Sequence, residues 1–479
     1  MRVLLVDLEA RHPLFKAPSW TPVYLPSLAA VLREGGHQAA MLERAAFEPF
    51  GGKGHQAAVA RRFGDLIAGF APETLAFDVQ AENWGIFRRL VRAAREATPA
   101  TLLLAGGRHA TLCPGETLAF CPELDAVLIG EAETTISSIA GGAAPAVVSG
   151  IALRRGNKTI RTAEPALLQD LDALPMPAWN LLDMAYYTRR TPRVIPCLPL
   201  RTASIESSRG CAGQCTFCAE GRMHARVHRF HGAEYVCETV ERLIRDYSIE
   251  GLYFRDENFL ANPGRVAALC EAFVRRGLSN RVQWAAQVRP DSVSPGILRL
   301  MRTAGCVQLE YGIESGSQRI LDAIGKGTSV EQNADAIRIT REAEIRSLAY
   351  TMFGLPGETR DDLLATESFL ERSGPDVVRF TAFTLYPGAP AVTLLEKQGR
   401  LAPGFWKDAE SAPASSGPDG MNVSAMTSAE LRRTAGRVYR SQVFPRFLRD
   451  FRTHNRMRDV PGYFNIAAAA SHFLKRLLR

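Results

Sequence analysis

The sequence predicts an α/β protein: a doubly wound parallel sheet, then a full or partial parallel β/α barrel, then a helical carboxyl-terminal region. Three observations carry that prediction. Short apolar runs alternate with helix-spaced segments through the first third of the chain, the alternation resumes for six further units beyond about residue 200, and a proline-containing stretch separates the two. At 479 residues the chain also exceeds the size at which one core keeps growing, so several domains are expected.

In the first third the strands are RVLLVDL (2–8), QAAMLE (38–43), TLAFDV (74–79), TLLLAGG (101–107) and AVLIG (126–130). Between them, LPSLAAVLREGG, AAVARRFGDLIAG and IFRRLVRAAREA carry apolar residues at helical spacing and end near Gly or Pro. Strands alternating with helices pair in parallel, and ligands then sit at the carboxyl ends of the strands. Gly106 and Gly107 follow the fourth run, and Gly130 and Glu131 follow the fifth. Glycine there lets a bulky ligand approach the backbone. No GxGxxG follows the first run, which argues against a dinucleotide.

VVSGIALRRGNKTIRTAE (147–164) reads as a β-hairpin turning at Gly156-Asn157. In DLDALPMPAWNLLD (170–183), Pro175 and Pro177 suit an ordered linker better than a helix or strand. The expected division is therefore 1–165 for the sheet, 166–195 for the linker, 196–392 for the barrel and 393–479 for the tail. ASIESSRG, GLYFRDENF, VQWAAQVRP, VQLEYGIES, LAYTMFGLPG and VVRFTAFTLYPG supply the barrel strands, with ETVERLIRDYS and VAALCEAFVRRG among the intervening helices. Chemistry in such a barrel gathers at the carboxyl ends of its strands.

Composition is that of an ordinary globular protein, 46% hydrophobic and 23% charged. No apolar run approaches the roughly 18–20 residues that span a bilayer. MRVLLVDLEARHP reads as a first strand and not a signal peptide, so a cytoplasmic location is expected. The net charge of +8 arises in the tail, where Glu430 to Arg479 holds twelve Lys and Arg against three acidic residues. A nucleic-acid partner is therefore not favoured. FPRFLRDFRTHNRMRDV and FNIAAAASHFLKRLLR read as basic amphipathic helices, the second with Ile466, Phe473, Leu474, Leu477 and Leu478 on one face. The simpler reading packs them on the barrel; the sharper one makes the last an interfacial helix in peripheral contact with a membrane.

Nine cysteines, odd in number and unevenly placed, do not make a disulfide framework. Cys113, Cys121, Cys197, Cys237, Cys270 and Cys306 are scattered and read as small buried hydrophobes. Cys211, Cys215 and Cys218 are clustered, in RGCAGQCTFCAEGR at the end of the first barrel strand. Zinc would need a fourth ligand, from His224, His228 or His231. CxxxCxxC in one loop instead suits three corners of a 4Fe-4S cubane with its fourth iron open.

CAGQCTFC, with Phe217 before the last cysteine, resembles the signature of the radical S-adenosylmethionine enzymes. By that resemblance the open iron chelates the amino and carboxylate groups of S-adenosylmethionine. A low-potential donor, flavodoxin or ferredoxin, then drives its cleavage to a 5′-deoxyadenosyl radical. The resemblance places Phe217 at the cofactor, together with Asp256 and Glu257 in FRDENF, Gln287 and Arg289 in AQVRP, Glu314 in YGIESGS, and Gly354 in MFGLPGET. LYPGAP resembles the sixth strand end, around Pro387.

The first unit is similar to the Rossmann-like cobalamin-binding domains that precede many such cores, through LPSLAAVLREGGHQ, GGRHAT, GEAETT and the LDALPMPAW linker. The similarity implies a corrinoid pocket formed by Asp78, Gln80, Gly106, Gly107, His109, Gly130 and Glu131. DLEARHP lacks the DxHxxG spacing between Asp7 and His12, so cobalt is expected without a lower histidine ligand. The implied activity is methyl transfer to an unactivated carbon of a small-molecule or lipid-like substrate, through the deoxyadenosyl radical and methylcobalamin. Cyclisation or rearrangement is the alternative on the same two domains. RNA methylthiotransfer is disfavoured, because Cys113 and Cys121 lie in helical sequence and the tail is not a small β-barrel. A zinc-stabilised binding module is the remaining contrast, to be told by metal content.

Overall fold

The computed structural model describes residues 1–9, 20–47, 56–156, 158–192, 194–196, 198–402 and 422–453. The first sheet contains β1 (Arg2–Asp7), β2 (Gln38–Glu43), β3 (Thr74–Asp78), β4 (Leu102–Gly106), β5 (Ala126–Leu128), β6 (Ile151–Arg155) and β7 (Lys158–Arg161). Their order is β2-β1-β3-β4-β5-β6-β7, parallel through β5 and antiparallel for the last two. The expected hairpin thus extends the sheet; Asn157 in its turn lies outside the described residues.

Both faces of this sheet are covered, which is why β1 is a nearly continuous apolar run. Val3 and Leu5 pack on the helix Tyr24–Glu34, while Leu4 and Val6 join Phe63, Phe77 and Phe87 on the other face. The 2-1-3-4-5 core order is the flavodoxin-like variant of the doubly wound fold and not the Rossmann order. Its switch point, where a ligand crevice opens, lies between β1 and β3.

The second unit begins with β8 (Thr202–Ile205), followed by the short pair β9 (Ser208–Arg209) and β10 (Arg229–Phe230). Then come β11 (Gly251–Phe254), β12 (Gln283–Val288), β13 (Cys306–Glu314), β14 (Arg346–Phe353) and β15 (Val377–Ala382). The six longer strands run parallel in the order β15-β14-β13-β12-β11-β8. β8 and β15 do not pair, so the barrel is partial. Its outer core is aromatic: Trp284 meets Phe254 edge-on at 5.4 Å and donates through Nε1 to the Ala304 carbonyl at 2.8 Å. That bond satisfies the indole N–H, as is usual for a buried tryptophan.

The helix Ser428–Val438 starts at a capping box of Thr427 and Glu430 and buries Leu431, Ala435 and Val438 in the barrel core. A π-helical turn, Tyr439–Val443, leads into Phe444–Thr453, and Arg446 anchors it by donating to the carbonyls of Pro375 and Leu370. This part of the tail packs on the barrel, as the simpler reading expects. FNIAAAASHFLKRLLR lies outside the described residues. Among those described, no helix is long and apolar enough to cross a membrane.

Candidate active site

The cysteine loop hangs from the β9–β10 ladder. Gly210 opens it at φ 99°, and a Cβ there would come within 2.0 Å of the Val227 carbonyl, so only glycine fits. Gly213 sits where a Cβ would lie 3.2 Å from Cys211 Sγ and 3.9 Å from Cys215 Sγ. The three sulfurs do not converge within 4.8 Å of one another, as ligands of a single ion would. A cubane needs that wider spread. Burial pushes the Cys218 thiol up to about 12, helped by the charge of Glu220 and then by Cys215 and Cys211, and raises Cys215 too. Holding the thiolates here therefore calls for a strongly cationic centre, and iron of a cluster fits that donor set.

The histidines offered for zinc are engaged elsewhere. His224 Nδ1 lies 2.7 Å from Glu131, and His231 Nδ1 lies 2.9 Å from Asp172, its ring stacked on Tyr235. His228 stacks on Phe230. Among the described residues, none of them joins the cysteines in a ligand group.

Both arms of the loop are pinned by the first sheet. Arg229 Nη1 donates to Glu131 Oε2 at 2.8 Å and its Nη2 to Oε1. Arg209 lies 2.8 Å from Glu133 and 2.7 Å from Glu206, and also reaches Glu131. All but Glu206 are almost fully buried. Burial opposes the charge on Glu131, yet Arg229, His224 and Arg209 together hold it well below the usual carboxylate range. Glu131, expected at the corrinoid, is instead spent on this interdomain clasp, although its edge still borders the cavity.

At the barrel strand ends the expected residues divide. Glu314, at φ 63°, pairs with Lys326 at 2.9 Å, and both act electrostatically on Cys215. Arg289 also acts on Cys215 and Cys211, while pairing with Asp291 at 2.7 Å and donating to the Lys326 carbonyl. Gln287 is half-buried on the inner face of β12, and Phe217 packs into the apolar cluster of Leu355 and Phe383. Gly354, at φ 78°, donates its N–H to Glu358 at 2.7 Å. Glu257 lines the cavity with its Oε2 unpartnered, and burial followed by the charges of Glu220 and Glu206 drives its carboxyl well above the usual range. Asp256 is a correction. Fully buried, it accepts from the Ser207 N–H at 2.8 Å and from the Ser207 and Ser208 hydroxyls at 2.6 Å, so it braces the start of the loop and does not face a ligand.

Between the two units lies a cavity of about 520 Å³. Asp78, Gln80, Gly107 and Gly130 border it at the ends of the first sheet, and Trp20, Arg255 and Glu257 border it on the barrel side. Gly107 has φ 87°, and a Cβ would strike Asp78 Oδ1 at 2.2 Å; Gly130 has φ 69°. Burial raises the Asp78 carboxyl to about 6, partly offset by the hydrogen bond from Gln80 at 2.9 Å, and raises Asp7 to about 8. Two more corrections belong here. His109 is 2% exposed, stacks on Trp84 at 4.5 Å with burial lowering it to about 4, and does not line the cavity; nor does Gly106, buried at the cap of a short helix. His12 lies outside the described residues.

Comparison with known proteins gives two family models on this chain: a B12 binding domain over residues 17–140 and the radical SAM superfamily over 205–370. The chain is 28% identical to an uncharacterised methyltransferase of Pyrococcus horikoshii over 67% of its own length and 69% of that protein. It is 25% identical to an anaerobic magnesium-protoporphyrin IX monomethyl ester cyclase of Cereibacter sphaeroides, over 80% of its own length and 61% of that protein. In fold it is similar to the radical S-adenosylmethionine methyltransferase TsrM of Kitasatospora setae, solved with cobalamin and a 4Fe-4S cluster bound. The TM-score is 0.67 at 20% identity, covering 84% of this chain and 77% of the other.

Proposed function

We propose, for a chain that belongs to the cobalamin-binding radical S-adenosylmethionine enzymes, that it transfers a methyl group to an unactivated carbon of a small-molecule substrate held between its two units. One observation carries the reading: the cysteine loop and the glycine-bearing ends of the first sheet are clasped together across one cavity by Glu131, Arg209 and Arg229. The bound groups supply one-electron cleavage of S-adenosylmethionine and a methyl group carried on cobalt.

The chain's own residues hold and shield those groups. Cys211, Cys215 and Cys218 hold the cluster, and the Glu314–Lys326 pair with Arg289 fixes the charge beside it. Gly107 and Gly130 keep the floor of the corrinoid crevice free of side chains. Glu257, its carboxyl pushed well above the usual range by burial, meets the cavity with Oε2 unpartnered. A flavodoxin or ferredoxin is the expected electron donor.

Methyl transfer is preferred to cyclisation because the Pyrococcus relative and TsrM are both methyltransferases by name, while the cyclase keeps the alternative alive. Anaerobic purification with cobalamin supplied, followed by product analysis, decides between them. Equal yields of 5′-deoxyadenosine and S-adenosylhomocysteine are the expected result. Deoxyadenosine alone would favour cyclisation, and failure to take up corrinoid would overturn the cobalamin reading.

A further inference from the structure

The helical turn that follows the cysteines carries a second group of ligand-type side chains. Glu220 and His224 stand four residues apart, on the short helix Glu220–Met223 and its cap, so they share one face; Glu257 meets them from the loop after β11. One carboxylate oxygen of each glutamate and one ring nitrogen of the histidine lie within 4.8 Å of one another. Ligands about 2.0–2.2 Å from one ion are at most about 4.4 Å apart, so a small rotation of these side chains closes the set. All three residues border the cavity.

The surroundings suit an ion. His224 Nδ1 faces Glu131 Oε1 at 2.7 Å, which leaves Nε2 for a ligand; metal-binding histidines are oriented in this way by a carboxylate behind the ring. Glu257 Oε2 is buried without a hydrogen-bond partner, and burial, then the charges of Glu220 and Glu206, opposes its ionisation. A cation here would offset that repulsion. The neighbouring arginines are engaged: Arg209 and Arg229 by Glu131, Glu133 and Glu206, and Arg108 by one oxygen of Glu220. One imidazole with two carboxylates suits Mn²⁺, Fe²⁺ or Zn²⁺ better than Mg²⁺ or Ca²⁺, which take oxygen ligands. Corrinoid cobalt, its equator filled by ring nitrogens, could take only one of the three. We infer that Glu220, His224 and Glu257 bind a divalent first-row transition-metal ion, with its remaining positions open to the cavity. Held there, the ion ties the cysteine loop to the end of β11 and presents a Lewis acid to an oxygen or nitrogen of the group in the cavity.

The site stands apart from the methyl-transfer proposal, and its test uses no turnover. The full-length protein, its cluster reconstituted anaerobically so that the cysteines are occupied, is titrated with Mn²⁺ without S-adenosylmethionine or reductant. The oxidised cluster gives no paramagnetic resonance signal, so the signal of free Mn²⁺ reports binding. One saturable site per chain is expected, emptied by Zn²⁺ and not by an equal concentration of Mg²⁺. Changes behind a metal ligand already cost about 10–100-fold in affinity, so His224→Ala and Glu257→Gln should each weaken binding at least about ten-fold. Arg108→Gln frees a carboxylate oxygen of Glu220 and should strengthen it. Iron content and circular dichroism establish that each variant is folded; should Glu257→Gln fail to fold, Glu257→Asp, with its carboxylate on a shorter stem, replaces it and should also bind more weakly. No saturable Mn²⁺ site, displacement by Mg²⁺ as readily as by Zn²⁺, or unchanged affinity in the His224 or Glu257 variant overturns the site. Failure of Arg108→Gln to strengthen binding removes Glu220 and overturns the three-residue set. Loss of methyl transfer or of corrinoid uptake with Mn²⁺ binding intact would overturn the proposed function alone.

Discussion

Two polar regions lie where the two units meet, and they are built on opposite rules. In the clasp, Glu131, Glu133, Arg209 and Arg229 are buried and each charge faces an opposite one. In the cavity, Asp7, Asp78 and Glu257 are carboxyls that burial pushes towards the neutral form. A satisfied cluster fixes geometry, because every displacement leaves a buried charge unpaired. An unsatisfied one costs the empty protein stability, which a ligand restores by supplying partners.

The comparison breaks hardest at Glu131. Replacing it with Ala strands the buried Arg229, while Arg209 keeps Glu133 and Glu206, and we expect a loss of about 3–5 kcal/mol in denaturant unfolding. Because the folded Glu131 ionises well below its unfolded value of 4.5, its contribution is present above that pH and is lost only as the solution becomes strongly acidic. A cost near zero would mean that the clasp is not what joins the two units.

Asp7 should behave with the opposite sign. Its folded value of about 8 lies above the unfolded 3.8, so from about pH 4 upwards the unfolded chain releases a proton that the folded chain keeps. Stability of the cofactor-free protein therefore falls as pH rises through that window. Asp7→Asn should raise the melting temperature at pH 8 more than at pH 5, by a gain that is at most a few kcal/mol. An equal effect at both pH values would remove Asp7 from the unsatisfied class.

Gly107→Ala comes next in size. The residue has φ 87° and its new Cβ would collide with Asp78 Oδ1, so a cost of about 1–3 kcal/mol is expected, with a matching loss of corrinoid retained after desalting. Undiminished corrinoid retention would separate this glycine from the crevice.

How much of this was legible in the sequence follows from the range of each interaction. The first-sheet strands and the six barrel strands are local patterns of period and punctuation, and they appear where expected. Cys211, Cys215 and Cys218 were legible because one loop carries all three. The clasp was not: Glu131 meets Arg229 across 98 positions of chain, and nothing in GEAETT distinguishes a carboxylate that touches a corrinoid from one that pairs with arginine. Asp256 misled for a related reason. A carboxylate at a strand end looks the same whether it faces outward or turns back on two serines. His109 is the converse case, a polar residue whose stacking on Trp84 no spacing rule reports.

The smallest effect is expected at Tyr350, and it asks whether the barrel interior belongs with the clasp or with the cavity. Its hydroxyl shares Glu310 Oε2 with Tyr253, and Oε1 keeps Gln308, so Tyr350→Phe leaves the carboxyl with two of its three donors. A loss of about 1 kcal/mol in unfolding free energy, with iron content unchanged, is the expected outcome. The phenol is half-buried, so water can replace it in the empty protein. A loss approaching that of Glu131→Ala would mean that the Tyr253–Glu310–Tyr350 node is a structural brace like the clasp.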